Sequence, residues 1–139
     1  MVFYLILDCF YIFVMTESTT KTSHRSIWDA WEDIAVRYLE NKWYRTIERN
    51  YQVKWGEIDI IMMDWSITVF IEVKYRKNED YGHPLDTFSM IKRRAMKRTI
   101  MLYINKNKID LEKIRIDFIG IMPNSLWGHR IWHIRGVEI

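Results

Sequence analysis

The chain predicts an α/β sandwich, a mixed central sheet flanked by helices, and three observations carry that reading. Two stretches, beginning at Ser26 and at Phe88, place apolar residues at helical spacing. Between them, and again after the second, alternating apolar and polar residues read as strands. The element order is therefore helix, three strands, helix, two strands. With 139 residues, 49% of them apolar and 28% charged, the chain has enough apolar surface for one core and is not disordered.

Residues 1–14 stand apart from this pattern. The opening MVFYLILDCFYIFVM is apolar but carries Asp8 and lacks a basic start. It is shorter than the about 20 residues of a membrane span, and no small-residue cleavage site follows. The polar run from Met15, MTESTTKTSHRS, reads as a flexible linker over 15–25. The preferred reading makes 1–14 an upstream extension of the reading frame, with the start near Met15 and one domain over 26–139. A membrane-surface anchor or an added edge strand is the competing reading.

The first helix, from Ser26, puts Ile27, Trp31, Ile34, Ala35, Tyr38 and Leu39 on one face, with Arg37, Glu40 and Lys42 outward. Glu32 falls at the margin of that stripe, where it either looks toward the sheet or is solvated. Trp43 to Tyr51 reads as a strand, with Asn50 near the turn that follows. A polar loop, KNEDYGHPLDT, precedes the second helix, Phe88 to about Asn105. Phe88, Ile91, Ala95, Thr99, Leu102 and Tyr103 form its expected buried stripe. Lys92, Arg93, Arg94, Lys97 and Arg98 crowd its first half, where the helix dipole favours anions, so they read as a phosphate-facing patch or a solvated face. Leu111 to Met122 and Arg130 to Arg135 are the last two strands.

Chemistry concentrates in the central stretch from Gly56 to Arg76, GEIDIIMMDWSITVFIEVKYR. Two alternating runs flank Asp64-Trp65-Ser66, as in an antiparallel hairpin. A loop centred on Trp65 and Ser66 sets Asp59 opposite Glu72 and Glu57 opposite Lys74, with facing Cβ atoms roughly 5 Å apart. Parity places Glu57, Asp59, Phe70, Glu72, Lys74 and Arg76 on one face. Ile58, Ile60, Ile71, Val73 and Tyr75 take the other, apolar face. Two close carboxylates repel and raise each other's pKa unless a cation neutralises them. A hard divalent ion suits them, Mg²⁺ first and Mn²⁺ as a substitute, with Lys74 placed to orient a water. A cross-strand ladder of salt bridges, with Glu57 and Lys74 as a rung, is the structural alternative.

The remaining signals are weaker. The net charge of +3 is compatible with a nucleic-acid partner. A single cysteine, Cys9, excludes an intramolecular disulfide and a cysteine-rich zinc site and suits the reducing cytoplasm. His129 and His133, four apart in a strand, do not converge on a metal. No glycine-rich phosphate loop, nucleophile elbow or internal repeat is present.

Taken together, Arg49-Asn50, GEIDII at 56–61, FIEVKYR at 70–76, Gly82 and Pro84, Lys92, and RIDFIGI at 115–121 resemble the YraN-like family. These are small bacterial predicted endonucleases related to archaeal Holliday-junction resolvases, within the PD-(D/E)XK nuclease superfamily. The resemblance runs from about Trp28 to Ile139 and implies a restriction-endonuclease-like αβββαβ core. It implies Asp59 and Glu72 as metal ligands, Lys74 as the catalytic lysine, and Glu32 as a helix carboxylate completing the metal site. Trp31-Glu32 stands where the family commonly has Gly-Glu.

The implied activity is metal-dependent hydrolysis of DNA phosphodiester bonds, with branched or single-stranded DNA among the substrates. Arg49, Lys54, Arg76, Lys92, Arg93, Arg94 and Lys97 would hold flanking phosphates. A homodimer fits the pattern, and a membrane span does not. The alternative function is a non-catalytic DNA-binding or protein-interaction module in recombination or DNA uptake.

Overall fold

The computed structural model describes residues 8–12, 24–77, 89–124 and 128–139. Its elements are β1 (Asp8–Ile12), α1 (His24–Glu40), β2 (Arg45–Val53), β3 (Gly56–Asp64), β4 (Ile67–Tyr75), α2 (Met90–Asn107), β5 (Ile114–Asn124) and β6 (Gly128–Arg135). All six strands join one sheet in the order β1-β6-β5-β4-β3-β2. Only β4 and β5 run parallel, and α2 supplies the long crossover that parallel neighbours need. The expected mixed α/β architecture is present, with β1 added at the β6 edge. Of the extension over 1–14, residues 8–12 are described as that strand. The rest of 1–14, nearly all of the 15–25 linker, the loop with Gly82 and Pro84, and Phe88 lie outside the described residues.

Each face of the sheet is covered by one helix. Ile34, Ala35, Tyr38 and Leu39 of α1 bury the stripe expected of them against Ile60, Met62, Val69, Ile71 and Val73. Burial of each large apolar side chain contributes about 1.5–3 kcal/mol, so this stripe settles where α1 lies. The helix ends where Trp43 turns to φ 69 and redirects the chain into β2. Among the described residues no helix is long and apolar enough to cross a membrane.

On the opposite face α2 starts at Ser89, whose hydroxyl accepts from the Lys92 amide at 3.3 Å. Its buried residues are Met96, Thr99, Ile100, Tyr103 and Ile104, packed with Ile58, Ile61 and Phe70. The expected stripe is therefore corrected: Ile91 and Leu102 are exposed, and of its described members only Thr99 and Tyr103 are buried. Apolar side chains surround this helix, so spacing alone admits several stripes, and close packing on the sheet decides between them. Gly56 marks that contact. A Cβ there would lie 2.6 Å from Thr99 Oγ1 and 3.1 Å from the Ala95 carbonyl oxygen.

The central hairpin turns through Trp65 and Ser66 in the expected register, from Asp64 opposite Ile67 to Ile60 opposite Ile71. There the ladder ends. Asp59 and Glu72, and Glu57 and Lys74, are not paired rungs, because β3 leaves β4 beyond Ile60. The single apolar face is corrected too. Ile60, Ile71 and Val73 belong to the α1 side, whereas Ile58, Ile61 and Phe70 belong to the α2 side. Alternation thus breaks at Asp59, between Ile58 and Ile60, at the point where the strands separate.

The other end of the sheet is tied by buried charge. Fully buried Asp117 accepts from Arg115 Nε at 2.8 Å, Arg115 Nη2 at 3.1 Å, the Gly136 amide at 3.1 Å, and makes a 2.9 Å bond with His133 Nε2. Burial alone would raise its pKa, but the bonds from His133 and Arg115 outweigh that and hold it low. Arg115 Nη2 also donates to Tyr44 Oη at 2.7 Å and to Asp64 Oδ2 at 2.8 Å, where Arg135 joins at 2.9 Å. With four hydrogen bonds from three residues the buried carboxylate has its lone pairs filled, and Asp64, bonded to both Arg115 and Arg135, ties β5 and β6 to the tip of β3.

Candidate active site

Separation of β3 from β4 opens a cleft of about 440 Å³ to which five elements contribute. Trp28, Asp29, Trp31 and Glu32 come from α1, Asn50 and Gln52 from β2, Glu57 and Asp59 from β3, Val73 and Lys74 from β4, and Lys92 from α2. Behind one wall, Trp31 stacks on Tyr75 with ring centroids 4.0 Å apart and planes 11° from parallel.

Asp59 takes the place of a missing rung. Its Oδ2 accepts from the Val73 amide at 2.7 Å, satisfying a donor that the parted strands leave without a carbonyl. Burial raises the Asp59 pKa against the pull of that hydrogen bond. Glu72 is only 1% exposed. Its Oε1 is ion-paired with Lys92 Nζ, and its Oε2 is buried with no hydrogen-bond partner. Burial, then the charge of Asp59, pushes its pKa up to about 7 against the opposing charges of Lys92 and Lys74. Like charge therefore adds to burial at Glu72 through Asp59, and at Asp59 through Glu57.

Glu32, 8% exposed, looks into the cleft from α1. Asn50 Nδ2 donates to its Oε2 at 2.9 Å and Arg49 Nη2 at 3.4 Å. Asn50 sits at φ 52, a left-handed conformation that asparagine tolerates better than most residues. Burial first, then the charge of Asp59, raises the Glu32 pKa, so the two carboxylates sense each other. Lys74 lines the wall with its Nζ 5.8 Å from the Trp28 ring centroid.

The cations expected on phosphates are dispersed. Lys92 faces the carboxylates, and although burial would lower its pKa, Glu72, Asp59 and Glu57 raise it. Arg49 pairs with Asp33 at 2.6 Å as well as with Glu32. Arg93 Nη1 donates to the Glu138 carbonyl at 3.3 Å and Lys97 Nζ to the Ile139 carbonyl at 3.1 Å. The Arg76 amide donates to the Ile121 carbonyl at 2.8 Å. Lys54 lies at the β2–β3 turn with its Nζ 4.6 Å from the Trp55 ring centroid, and Arg94 is exposed on α2. The hold of Asn50 on Glu32 and the place of Lys92 on Glu72 are not among the expectations drawn from sequence. The Arg49-Asn50 pair was a visible signal for the first, and nothing in the local pattern signals the second.

Among the described residues no three His, Cys, Asp or Glu side chains form a ready-made metal-ligand group. The donor chemistry nonetheless fits a hard divalent cation. Glu72 keeps one buried oxygen without a partner, Asp59 and Glu32 are electrostatically coupled, and Lys92 already shows that a cation is accommodated on Glu72.

A family profile described as "Uncharacterised protein family UPF0102" matches residues 31–121, which contain Glu32, Asp59, Glu72, Lys74 and Lys92. The chain belongs to the UPF0102 family. This is the YraN-like family, within the PD-(D/E)XK-like nuclease superfamily. A UPF0102 protein of Carboxydothermus hydrogenoformans is 39% identical over 99 residues, covering 71% of this chain and 84% of its own. One from Coxiella burnetii is 44% identical over 92 residues, covering 65% and 76%. One from Marinobacter nauticus is 36% identical over 115 residues, covering 83% and 94%. Among solved structures, Pyrococcus furiosus SfsA in complex with Ca²⁺ is similar with a TM-score of 0.41 and 22% identity over 83% of this chain. This UPF0102 chain spans 65% of the SfsA length, and the likeness is too loose to carry an argument.

Proposed function

We propose that this UPF0102 chain is a metal-dependent nuclease hydrolysing phosphodiester bonds in DNA. One observation carries the reading: Glu72 is a buried carboxylate whose charge is disfavoured by that of the half-buried Asp59, and one Glu72 oxygen has no partner. Such an arrangement is costly to a fold and useful to a cation site. Asp59 and Glu72, with Glu32, would hold Mg²⁺, or Mn²⁺ in its place. The ion would supply Lewis-acid polarisation of the scissile phosphate and acidification of water. Lys74, on the cleft wall, stabilises the charge that grows on the phosphate during attack. Arg49 and Asn50 hold Glu32 in position, and Lys54 and Arg94 contact flanking phosphates.

The Lys92–Glu72 pair favours a second reading, a DNA-binding module that does not cut. In it Lys92 permanently neutralises the carboxylate. Calorimetric titration of Mg²⁺ combined with a plasmid-nicking assay separates the two. Asp59→Asn retains an acceptor for the Val73 amide, so it should melt like the wild type while losing both Mg²⁺ binding and nicking. Lys74→Ala should keep Mg²⁺ binding and lose about 10²–10³-fold in nicking rate. Equal Mg²⁺ affinity in wild type and Asp59→Asn would sink the metal site. DNA binding without nicking, unchanged by Lys74→Ala, would establish the second reading.

A further inference from the structure

The cleft does not end at the carboxylates. A second hollow of about 270 Å³, lined by Lys54 and Gly56 among others, shares Gln52, Glu57 and Lys92 with the first. The two therefore adjoin across Gln52, Glu57 and Lys92, one beside the carboxylates and the other beside Lys54 of the β2–β3 turn. A solvent-facing indole near a lysine ammonium stands by each hollow: Trp28 and Lys74 line the first, and Trp55 lies against Lys54, which lines the second. In the first pair Lys74 Nζ is 5.8 Å from the centroid of Trp28, which is 47% exposed. In the second, Lys54 Nζ is 4.6 Å from the centroid of Trp55, which is 63% exposed.

Neither indole is needed to fill the core. Trp31, half-buried and stacked on Tyr75, already packs the wall behind Trp28, and Trp55 sits on a turn. Two apolar rings facing water beside the hollows suit a partner with flat faces. The paired lysines require that partner to carry anions next to those faces. A nucleic-acid strand with unstacked bases meets both conditions, since each base offers a π-face and each linkage a phosphate. Bases inside a continuous duplex are stacked on one another and have no face to offer a single indole.

We infer that the two hollows together form a groove that holds an unpaired nucleic-acid strand, with bases stacked on Trp28 and Trp55 and phosphates on Lys74 and Lys54, so that the strand crosses the carboxylates between them. The inference rests on the nuclease reading for what is done to the strand, but not for how the strand is held.

The test is fluorescence anisotropy with a labelled oligothymidylate and, separately, a blunt-ended duplex, at low salt in EDTA so that nothing is cut. Trp28→Ala and Trp55→Ala should each weaken single-strand binding about tenfold, and the corresponding Phe variants should restore most of it. Duplex binding should change little, and Trp43→Ala, at the far end of the sheet, should leave both unchanged. Thermal melts of each variant exclude unfolding as the cause. Wild-type single-strand affinity in both Ala variants, equal losses for single strand and duplex, or no nucleic-acid binding at all would overturn the inference. If the Trp variants bind normally while Mg²⁺-dependent nicking persists, the groove inference falls and the nuclease reading stands. If both Trp variants lose single-strand binding but Mg²⁺ supports no cutting, the groove stands and the nuclease reading falls.

Discussion

Below pH 7 or so, the Glu72 carboxyl keeps its proton in the folded chain, because burial and then the Asp59 charge outweigh the pull of Lys92. In the unfolded chain the same group ionises near its ordinary value of 4.5. The folded state therefore binds the extra proton between those values. The resulting stabilisation is complete below 4.5 and is lost as pH rises through about 7. Glu72→Gln, which cannot ionise, should escape that loss. In EDTA, its melting temperature relative to wild type should climb between pH 5 and pH 8, at about 1.4 kcal/mol for each unit of pKa shift abolished. Added Mg²⁺ at pH 8 should then raise the melting temperature of wild type more than that of the variant. Parallel pH profiles would mean that the Glu72 charge is not disfavoured. The hairpin from Ile60 to Ile71 was legible because strand parity and a two-residue turn depend only on local sequence, whereas the parting of the strands at Asp59 and Glu72 was not. The grip of Asn50 on Glu32 and of Lys92 on Glu72 was not, since each joins elements whose relative placement only the packed core determines.

Helix α2 sits where Gly56 lets it sit. Gly56→Ala pushes a methyl group into Thr99 Oγ1 and the Ala95 carbonyl, and the backbone oxygen cannot swing aside. We expect a loss of about 1–3 kcal/mol, read as a lower urea midpoint, with a smaller loss in a Thr99→Ala background where one of the two obstructions is gone. A neutral Gly56→Ala would show that the helix rides further from β3. This element also marks the limit of periodicity as a guide. The α1 stripe was readable because Arg37 and Glu40 label its outer face. In α2 the apolar residues Ile91, Met101 and Leu102 face water, so sequence spacing pointed to a face that the sheet does not bury. Those side chains become intelligible only once the sheet is in place.

The molecule as a whole is held unevenly. At one end Asp117, Arg115, Asp64 and Arg135 bind three strands together, while at the other β3 and β4 part to make the cleft. Along the edge, β1 covers β6. A chain beginning at Met15 lacks that cover, so β6 amides facing β1 should exchange with deuterium faster while those shared with β5 stay protected. Unchanged exchange throughout β6 would show that β1 contributes no protection. Six strands in this order could not be foreseen from the alternating runs alone, because an isolated run does not say which neighbour it takes, and the apolar residues 8–12 fit an anchor as well as an edge.

The bond from the Val73 amide to Asp59 makes a backbone hydrogen the sensor of a carboxylate lining the cleft. Whatever draws on that oxygen, a proton or a cation, must loosen or polarise the same N–H. The Val73 amide resonance is therefore a spectroscopic gauge of the site, one that needs no substrate and no altered residue.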